Sequence, residues 1–305
     1  MSTDRIVAAE DLPWRRKLAR ELTLRARASV REILCAPIAF GGKARRIGIT
    51  GPPGAGKSSL IAMLARHWEP TGRKLGVVAI DPTSPLSGGA LLGDRIRMDE
   101  VARNPNLFIR SLSSGTAHDG LCPNLLAVLD AFEGAQFEDL ILETVGVGQV
   151  NYDARVLVDT LALVLVPESG DTIQAMKAGI LETADIYVVN KADLAASGKL
   201  VSELRSVAAW RGKSHRWTPP VVLTCALEGR GACELAAAIE AHRNAVLDED
   251  RMRELAAARR EYHIRSLIMR RIGELLASGV HDSASPSPAE GLRAVIDRLH
   301  GDIAS

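Results

Sequence analysis

Gly51-Pro52-Pro53-Gly54-Ala55-Gly56-Lys57-Ser58 carries the spacing G-x-x-x-x-G-K-[ST]. Before it, Arg46-Ile47-Gly48-Ile49-Thr50 reads as a short buried strand; after it, Ser59-Leu60-Ile61-Ala62-Met63-Leu64-Ala65 reads as the apolar start of a helix. A strand that hands over to a helix through such a loop is the context in which this spacing binds phosphate. The glycines let the backbone wrap closely enough for N–H groups to converge on phosphate oxygens, and the helix dipole stands behind them. Contacts are expected from Gly51, Gly54, Ala55, Gly56, Lys57, Ser58 and Ser59, with Lys57 reaching the β- and γ-phosphates and the Ser58 hydroxyl binding Mg²⁺.

Outward from this loop, short β-rich runs alternate with helical stretches: Ile47-Thr50, Gly76-Ile80, Leu107-Arg110, Leu140-Leu142, Leu161-Val166, Ile186-Val189 and Val221-Thr224. Runs of this kind are buried on both faces, and their alternation with helices predicts an α/β fold with a mostly parallel central sheet. Ligands of such sheets gather at the carboxyl ends of the strands. Residues 1–43 read as a helical cap, with Trp14, Leu18, Leu22 and Leu24 as its apolar stripe, and 44–246 as the main domain. Residues 247–305 read as a helical extension: a long helix from Asp248 to Ser278 stopped by Gly279, then a final helix opened by Ser287-Pro288-Ala289-Glu290 and running through Leu299. The long helix has Met252, Leu255, Tyr262, Leu267 and Ile268 as its apolar positions.

Lys plus Arg exceed Asp plus Glu by 38 to 37 in 305 residues, a net charge of +1 that offers no electrostatic argument for nucleic acid or a membrane surface. Asp4, Arg5, Glu10 and Asp11 interrupt the N-terminus, so a signal peptide is not expected, and no run approaches the ~18 apolar residues of a membrane span. Cys35, Cys122, Cys225 and Cys233 lack C-x-x-C spacing and fit unpaired thiols in a reducing cytoplasm. His118 and Cys122 stand at i, i+4, but two ligands do not make a zinc or nickel site.

The base is read at Asn190-Lys191-Ala192-Asp193, directly after an apolar strand. A carboxylate at Asp193 can accept the N1 and N2 hydrogens of guanine, whereas adenine would leave it poorly paired. Asn190 is expected to tie loops together and the Lys191 stem to cover the base, while Thr224-Cys225-Ala226-Leu227 completes the pocket through its backbone at Cys225, Ala226 and Leu227. Asp81 and Glu143, each at the end of a strand, are candidate Mg²⁺ ligands, and Gly146 can offer its N–H to the γ-phosphate. Asp94, beside Arg95 and Arg97, either joins the metal shell or pairs with an arginine at a helix start. Val147 follows the sensing glycine where a water-orienting glutamine stands in Ras-like proteins, so slow intrinsic hydrolysis is expected, raised by ~10³–10⁵ if a partner or dimer supplies the group.

The runs at 51–58, Asp-Pro-Thr-Ser-Pro-Leu-Ser-Gly-Gly at 81–89, Leu-Gly-Asp-Arg-Ile-Arg-Met at 92–98, Glu-Thr-Val-Gly-Val-Gly-Gln at 143–149 and Asn-Lys-Ala-Asp at 190–193 closely resemble the GTPases that chaperone cobalamin-dependent acyl-CoA mutases. This is the methylmalonyl-CoA mutase-associated group, also labelled arginine/ornithine transport kinases, and the resemblance covers about residues 12–275. It implies a P-loop GTPase fold and a homodimeric Mg·GTPase of the cytoplasm, bound to the mutase. Such a protein gates adenosylcobalamin loading and removes inactivated cofactor, handling that cofactor through the partner rather than binding it. By the family pattern Lys57, Glu143 and Asp94 serve catalysis, Ser58, Asp81, Asp94 and Glu143 surround Mg²⁺, and Asn190, Lys191 and Asp193 read guanine. Residues 167–180 match a further switch, with Asp171 and Lys177 in its characteristic positions, and the C-terminal helices match a dimer arm.

Two positions depart from the family pattern: Val150-Asn151 where Ser-Glu is usual, and Glu168 where glycine is common. Both lie in elements expected to meet the mutase, which opens the choice of partner to an isobutyryl- or 2-hydroxyisobutyryl-type enzyme. The competing readings are a kinase of a transport-binding protein and a nickel- or cobalt-insertion GTPase.

Overall fold

A computed structural model describes residues 13–35, 38, 44–81, 104–113, 122, 124–144, 150–167, 179–213, 216–279 and 287–304. Seven strands form one sheet: β1 (Arg45–Thr50), β2 (Leu75–Asp81), β3 (Leu107–Ser113), β4 (Asp139–Glu143), β5 (Thr160–Leu165), β6 (Ile186–Val189) and β7 (Val221–Leu223). Their order is β3-β2-β4-β1-β5-β6-β7, and every pairing is parallel. The chain leaves β1 for β2 and β3 on one side, returns to β4 beside β1, and then fills the other side with β5, β6 and β7. The direction of winding therefore reverses around β1, which is where an open parallel sheet offers its crevice for a ligand.

Alternation along the strands explains why both faces are apolar. Leu140, Leu142 and Leu161 enter one core with helices α1 (Pro13–Arg27), α4 (Leu125–Gly134) and α5 (Val150–Leu157). Ile141, Ala162 and Val164 enter the opposite core with α3 (Lys57–Trp68) and α8 (Ala232–Val246). Leu163, Leu165, Tyr187 and Val189 pack with α6 (Ile180–Thr183) and α7 (Ser197–Gly212). Each leucine, isoleucine or valine among them, fully removed from water, contributes about 1.5–3 kcal/mol.

Of the segment expected to form a helical cap, the described residues hold α1 and α2 (Val30–Cys35), and residues 1–12 lie outside the described residues. Leu18 and Leu22 are buried, and Trp14 joins Phe108 and Phe137 in an aromatic cluster with ring centroids 6.2 and 6.0 Å away. Leu24, expected in the same stripe, is 72 % exposed. At about 100° per residue it lies some 200° round the helix from Leu22, so it faces solvent. The C-terminal pair is α9 (Glu249–Ala277) and α10 (Pro288–Ala304). The Asp248 side chain caps α9 by accepting from the Arg251 N–H, and Gly279 follows with φ 73°. Leu255, Tyr262 and Leu267 are buried; Ile268, expected with them, is exposed, and Met252 is only half-buried. The last helix continues to Ala304, beyond the expected end at Leu299.

Ion pairs cluster at the amino ends of the strands. Arg45 at the start of β1 pairs with Asp139 and with Glu240 of α8. Arg259 of α9 pairs with Asp159 at 2.6 Å, and Arg155 with Asp185 at 3.2 Å. Asp185 also meets His242 Nε2 at 3.3 Å, while His242 Nδ1 lies 2.8 Å from the Thr160 hydroxyl. Two hollows of about 680 and 590 Å³ open at this end, lined by Arg45, Glu133 and Arg243, and by Arg155, Trp217 and Asp248. Several of their lining charges are paired, Arg45 with Asp139 and Glu240, Glu133 with Arg46, Arg155 with Asp185, and Arg216 with Asp248. The glycine-rich loop lies at the opposite end of the sheet.

Candidate functional site

The loop between β1 and α3 is shaped by its glycines. Gly51, Gly54 and Gly56 have φ of 148°, 76° and 85°, conformations that side-chain-bearing residues rarely adopt. A side chain on Gly51 would begin 2.1 Å from the Val164 carbonyl oxygen of β5, and one on Gly56 would begin 2.4 Å from Asn190 Nδ2. Ala55 is buried and Pro53 and Gly54 are exposed, so the crest of the loop is open. Lys57 and Ser58, the first residues of α3, are buried, and Ser59 is half-buried. The Lys57 ammonium donates to the carbonyls of Gly51 at 2.9 Å and Pro52 at 3.1 Å, which lays its stem back along the loop.

The Ser58 hydroxyl donates to Glu143 Oε1 at 2.9 Å. Glu143 ends β4, the neighbour of β1, so two hard oxygen donors converge beside the loop, one from the start of α3 and one from the end of β4. A serine hydroxyl and a carboxylate are the donor chemistry that Mg²⁺ takes. Asp81 ends β2 on the far side of β4. Its side chain, together with Asp94, Gly146, Val147, Gln149, Glu168, Asp171 and Lys177, lies outside the described residues, as does His118.

Asn190 organises the other half of the site. It follows β6, is buried, and donates through Nδ2 to the Ala55 carbonyl of the glycine loop at 2.8 Å. Its Oδ1 accepts from the Thr224 hydroxyl at 3.1 Å and from the Ala226 N–H at 3.2 Å. One side chain thus joins the loops after β1, β6 and β7. Lys191 has φ 55° and is exposed, and the turn it makes brings the Ala192 N–H to the Thr224 carbonyl at 3.0 Å. Asp193 is exposed at the rim. Cys225 is buried and donates its thiol to Asp193 Oδ1 at 3.4 Å; burial and the neighbouring carboxylate push the thiol pKa up. Ala226 is buried, and Leu227 is 88 % exposed.

Residues 51–59, Glu143, 190–193 and 225–227 therefore gather at the carboxyl ends of β1, β4, β6 and β7. Two members of the network have no counterpart in the sequence reading: the Thr224 hydroxyl as a partner of Asn190, and the Cys225 thiol as a partner of Asp193. A small hydroxyl at the end of β7 was the available signal for the first.

Residues 18–280 match the family model described as methylmalonyl Co-A mutase-associated GTPase MeaB. The chain belongs to that family. Among its relatives, a Pyrococcus abyssi protein named as a GTPase is 41% identical over 262 residues, covering 83% of this chain and 80% of the relative. The mouse protein named methylmalonic aciduria type A homolog, mitochondrial, is 37% identical over 227 residues, covering 72% of this chain and 53% of that one. A crystal structure described as LAO/AO transport system kinase has a TM-score of 0.61 with 25% identity, covering 94% of this chain and 93% of that chain. Membership of the MeaB family makes the glycine loop part of a GTPase fold, and among the described residues no helix is long and apolar enough to cross a membrane.

Proposed function

We propose that the chain is a Mg²⁺-dependent GTP-hydrolysing chaperone of a cobalamin-dependent acyl-CoA mutase, methylmalonyl-CoA mutase or an isobutyryl- or 2-hydroxyisobutyryl-type relative. It acts in the cytoplasm and gates adenosylcobalamin loading and reactivation of that mutase. The observation that carries the nucleotide part is the Asn190 side chain, which holds the glycine loop and the loops after β6 and β7 in one piece. The family match and the relatives named for methylmalonic aciduria carry the partner part.

In this reading the backbone of residues 51–56 cradles the phosphates and Lys57 moves from its carbonyl partners to the β- and γ-phosphates. Ser58 and Glu143, with Asp81 and Asp94 from the flanking segment, would hold Mg²⁺, which would offset charge on the transferring phosphate. Gly146 would sense the γ-phosphate, and Asp193 would accept the guanine N1 and N2 hydrogens against a backbone wall of residues 225–227. Val147 cannot orient water, so turnover is slow until a partner contributes. The switch segment 167–180 would relay nucleotide state to the mutase. Residues 1–43, 44–246 and 247–305 are assigned as cap, GTPase domain and dimer arm, the arm joining two copies into a homodimer.

The test is GTP and ATP turnover with and without candidate mutases, comparing the native chain with Lys57→Ala. GTP preference, stimulation by one mutase and a fall of about 10²-fold or more in the variant are expected. Equal use of ATP, or no response to any such mutase, would sink the reading. Transfer of the γ-phosphate to a protein acceptor would replace it with a kinase.

A further inference from the structure

The larger hollow at the amino ends of the strands, about 680 Å³ and remote from the glycine loop, is lined by two segments of opposite charge. The acidic one is the turn between α4 and β4. There the Gln136 N–H donates to the Glu133 carbonyl at 2.9 Å, the Phe137 N–H to the Phe132 carbonyl at 3.2 Å and the Glu138 N–H to the Lys74 carbonyl at 3.1 Å. Gln136 turns the chain with φ 62°, so Asp130, Glu133 and Glu138 are carried on one fixed segment. The basic lining comes from β1, the turn before β2 and α8, and carries Arg45, Arg73 and Arg243.

Part of this charge is already matched. Arg45 pairs with Asp139 and Glu240, and Arg73 shares the same two carboxylates at 3.8 and 3.5 Å. Glu133 Oε1 accepts from Arg46 Nε at 2.8 Å. What is left over lies on both sides of the hollow. Glu133 Oε2 and Arg45 Nη2 are buried with no hydrogen-bond partner among the described residues, on side chains that are 8 % and 9 % exposed. Buried polar atoms are nearly always paired, and each exception asks for a ligand or a role. Arg243, exposed and one turn along α8 from Glu240, is held by no ion pair or hydrogen bond among the described residues, and the Glu138 carboxylate is likewise exposed and unheld. Burial raises the pKa of Glu133 against the pull of Arg46, and Asp130 adds to the rise, so the ionised carboxylate is short of positive charge.

A single ion answers only half of this. An inorganic anion would take up Arg243 and leave Glu133 as it is. A metal ion would use the carboxylates alone, and no group of three His, Cys, Asp or Glu side chains suited to one forms among the described residues. A ligand that carries an ammonium and a carboxylate a few bonds apart satisfies both sides, and a hollow of this size admits it.

We propose that this hollow binds a small zwitterion of the α-amino acid class, its ammonium held by Glu133 and Glu138 and its carboxylate by Arg243, with Arg45 behind it. The terminal torsion of a glutamate is soft, so a small rotation brings Glu133 Oε2 to the surface of the hollow. None of these residues belongs to the proposed nucleotide site, so the two sites stand or fall separately.

The experiment follows thermal unfolding of the full chain with each of the common α-amino acids added singly. At least one is expected to raise the melting temperature by about 3 °C at a concentration some ten times its dissociation constant. Its N-acetyl derivative lacks the ammonium and its amide lacks the carboxylate, and neither should move the curve. Arg243→Glu and Glu133→Gln are each expected to abolish the shift, with the ligand-free melting temperature of Arg243→Glu close to the parent's because that position is exposed. A native chain that no amino acid stabilises overturns the site. A derivative with one charge that shifts the curve as far as the amino acid itself overturns it too, and marks a simple ion site instead. So does a shift that survives Arg243→Glu; this variant decides alone if Glu133→Gln, deprived of its Arg46 pair, fails to fold.

Discussion

Asn190 Nδ2 donates to the carbonyl of Ala55 at 2.8 Å across 135 residues of sequence. Replacing Asn190 with alanine removes that bond and strands the buried Thr224 hydroxyl and Ala226 N–H that its Oδ1 accepts. A cost of about 2–4 kcal/mol in folding is expected, together with weaker GTP binding. Denaturant unfolding and nucleotide titration check it; an unfolding midpoint equal to the parent's would show that the three loops hold together without this residue.

Two glycines of the same loop should respond differently to alanine. Gly51→Ala places a Cβ against the Val164 carbonyl, a backbone atom that cannot move without parting β1 from β5, so loss of the folded state is expected. Gly54→Ala meets nothing within 4 Å and carries only the left-handed strain of φ 76°, about 1–2 kcal/mol. Circular dichroism melting curves of the pair decide this, and comparable stability in both variants contradicts it.

Glu143→Gln keeps the size of the residue and a partner for the Ser58 hydroxyl but removes the negative charge. The expected outcome is a fall in Mg²⁺-dependent turnover of about 10²-fold with little change in Mg²⁺-free nucleotide binding. Turnover at the parental rate over a magnesium titration would place the metal elsewhere.

Acid should weaken the fold in two stages. Burial, opposed by the Asp130 charge, lowers the pKa of His263, so the unfolded chain takes up this proton at about pH 6.5 while the folded chain resists it. Its contribution is complete above pH 6.5 and is lost as pH falls below that. Burial alone would raise Asp185, but the His242 hydrogen bond, the Arg155 charge and the Leu161 N–H reverse this and lower it. The stability it brings is present above about pH 3.9 and disappears below. His263→Gln should flatten the first stage only; urea midpoints between pH 7.5 and 5 that fall as steeply as the parent's would rule out the assignment.

The outer face of α9 and α10 exposes Ile264, Ile268, Met269, Leu276, Leu292 and Ile296, an apolar area that a chain standing alone has little reason to keep. Since Ile268 is 45 % exposed, Ile268→Glu should leave the melting temperature of a monomer nearly unchanged while shifting the proposed dimer to half its mass in sedimentation. A native chain that sediments as a monomer at micromolar concentration would rule out the arm.

The inner strands were legible because each carries a short apolar stretch, interrupted only by glycine in β1 and β2, that ends at a polar or small residue, as in Ile186-Tyr187-Val188-Val189 before Asn190. Of the two edge strands, β7 was legible throughout and β3 only in its first half. β3 continues to Ser113 because its backbone pairs with β2 as far as Asp81, while Arg110, Ser111 and Ser113 need no apolar character at the sheet edge. Within the site, Lys57, Ser58 and Asn190 announce themselves by fixed spacing around the bonds they make. The Cys225 thiol does not, because its meeting with Asp193 depends on the register of β6 against β7, which spacing does not encode.

The seat of Gly51 against Val164 also orders events during synthesis. The glycine loop owes its shape to a strand more than a hundred residues downstream, and Thr50 has no β5 partner until Leu163 has been made. A nascent chain that has exposed only β1 and α3 carries every residue of the phosphate motif and no surface to mould it. Since Asn190 closes on residues 224–226, the base-reading half is completed later still. A product truncated before β5 therefore carries the phosphate motif without the strand that seats Gly51, and one truncated before residue 224 lacks the partners of Asn190 as well.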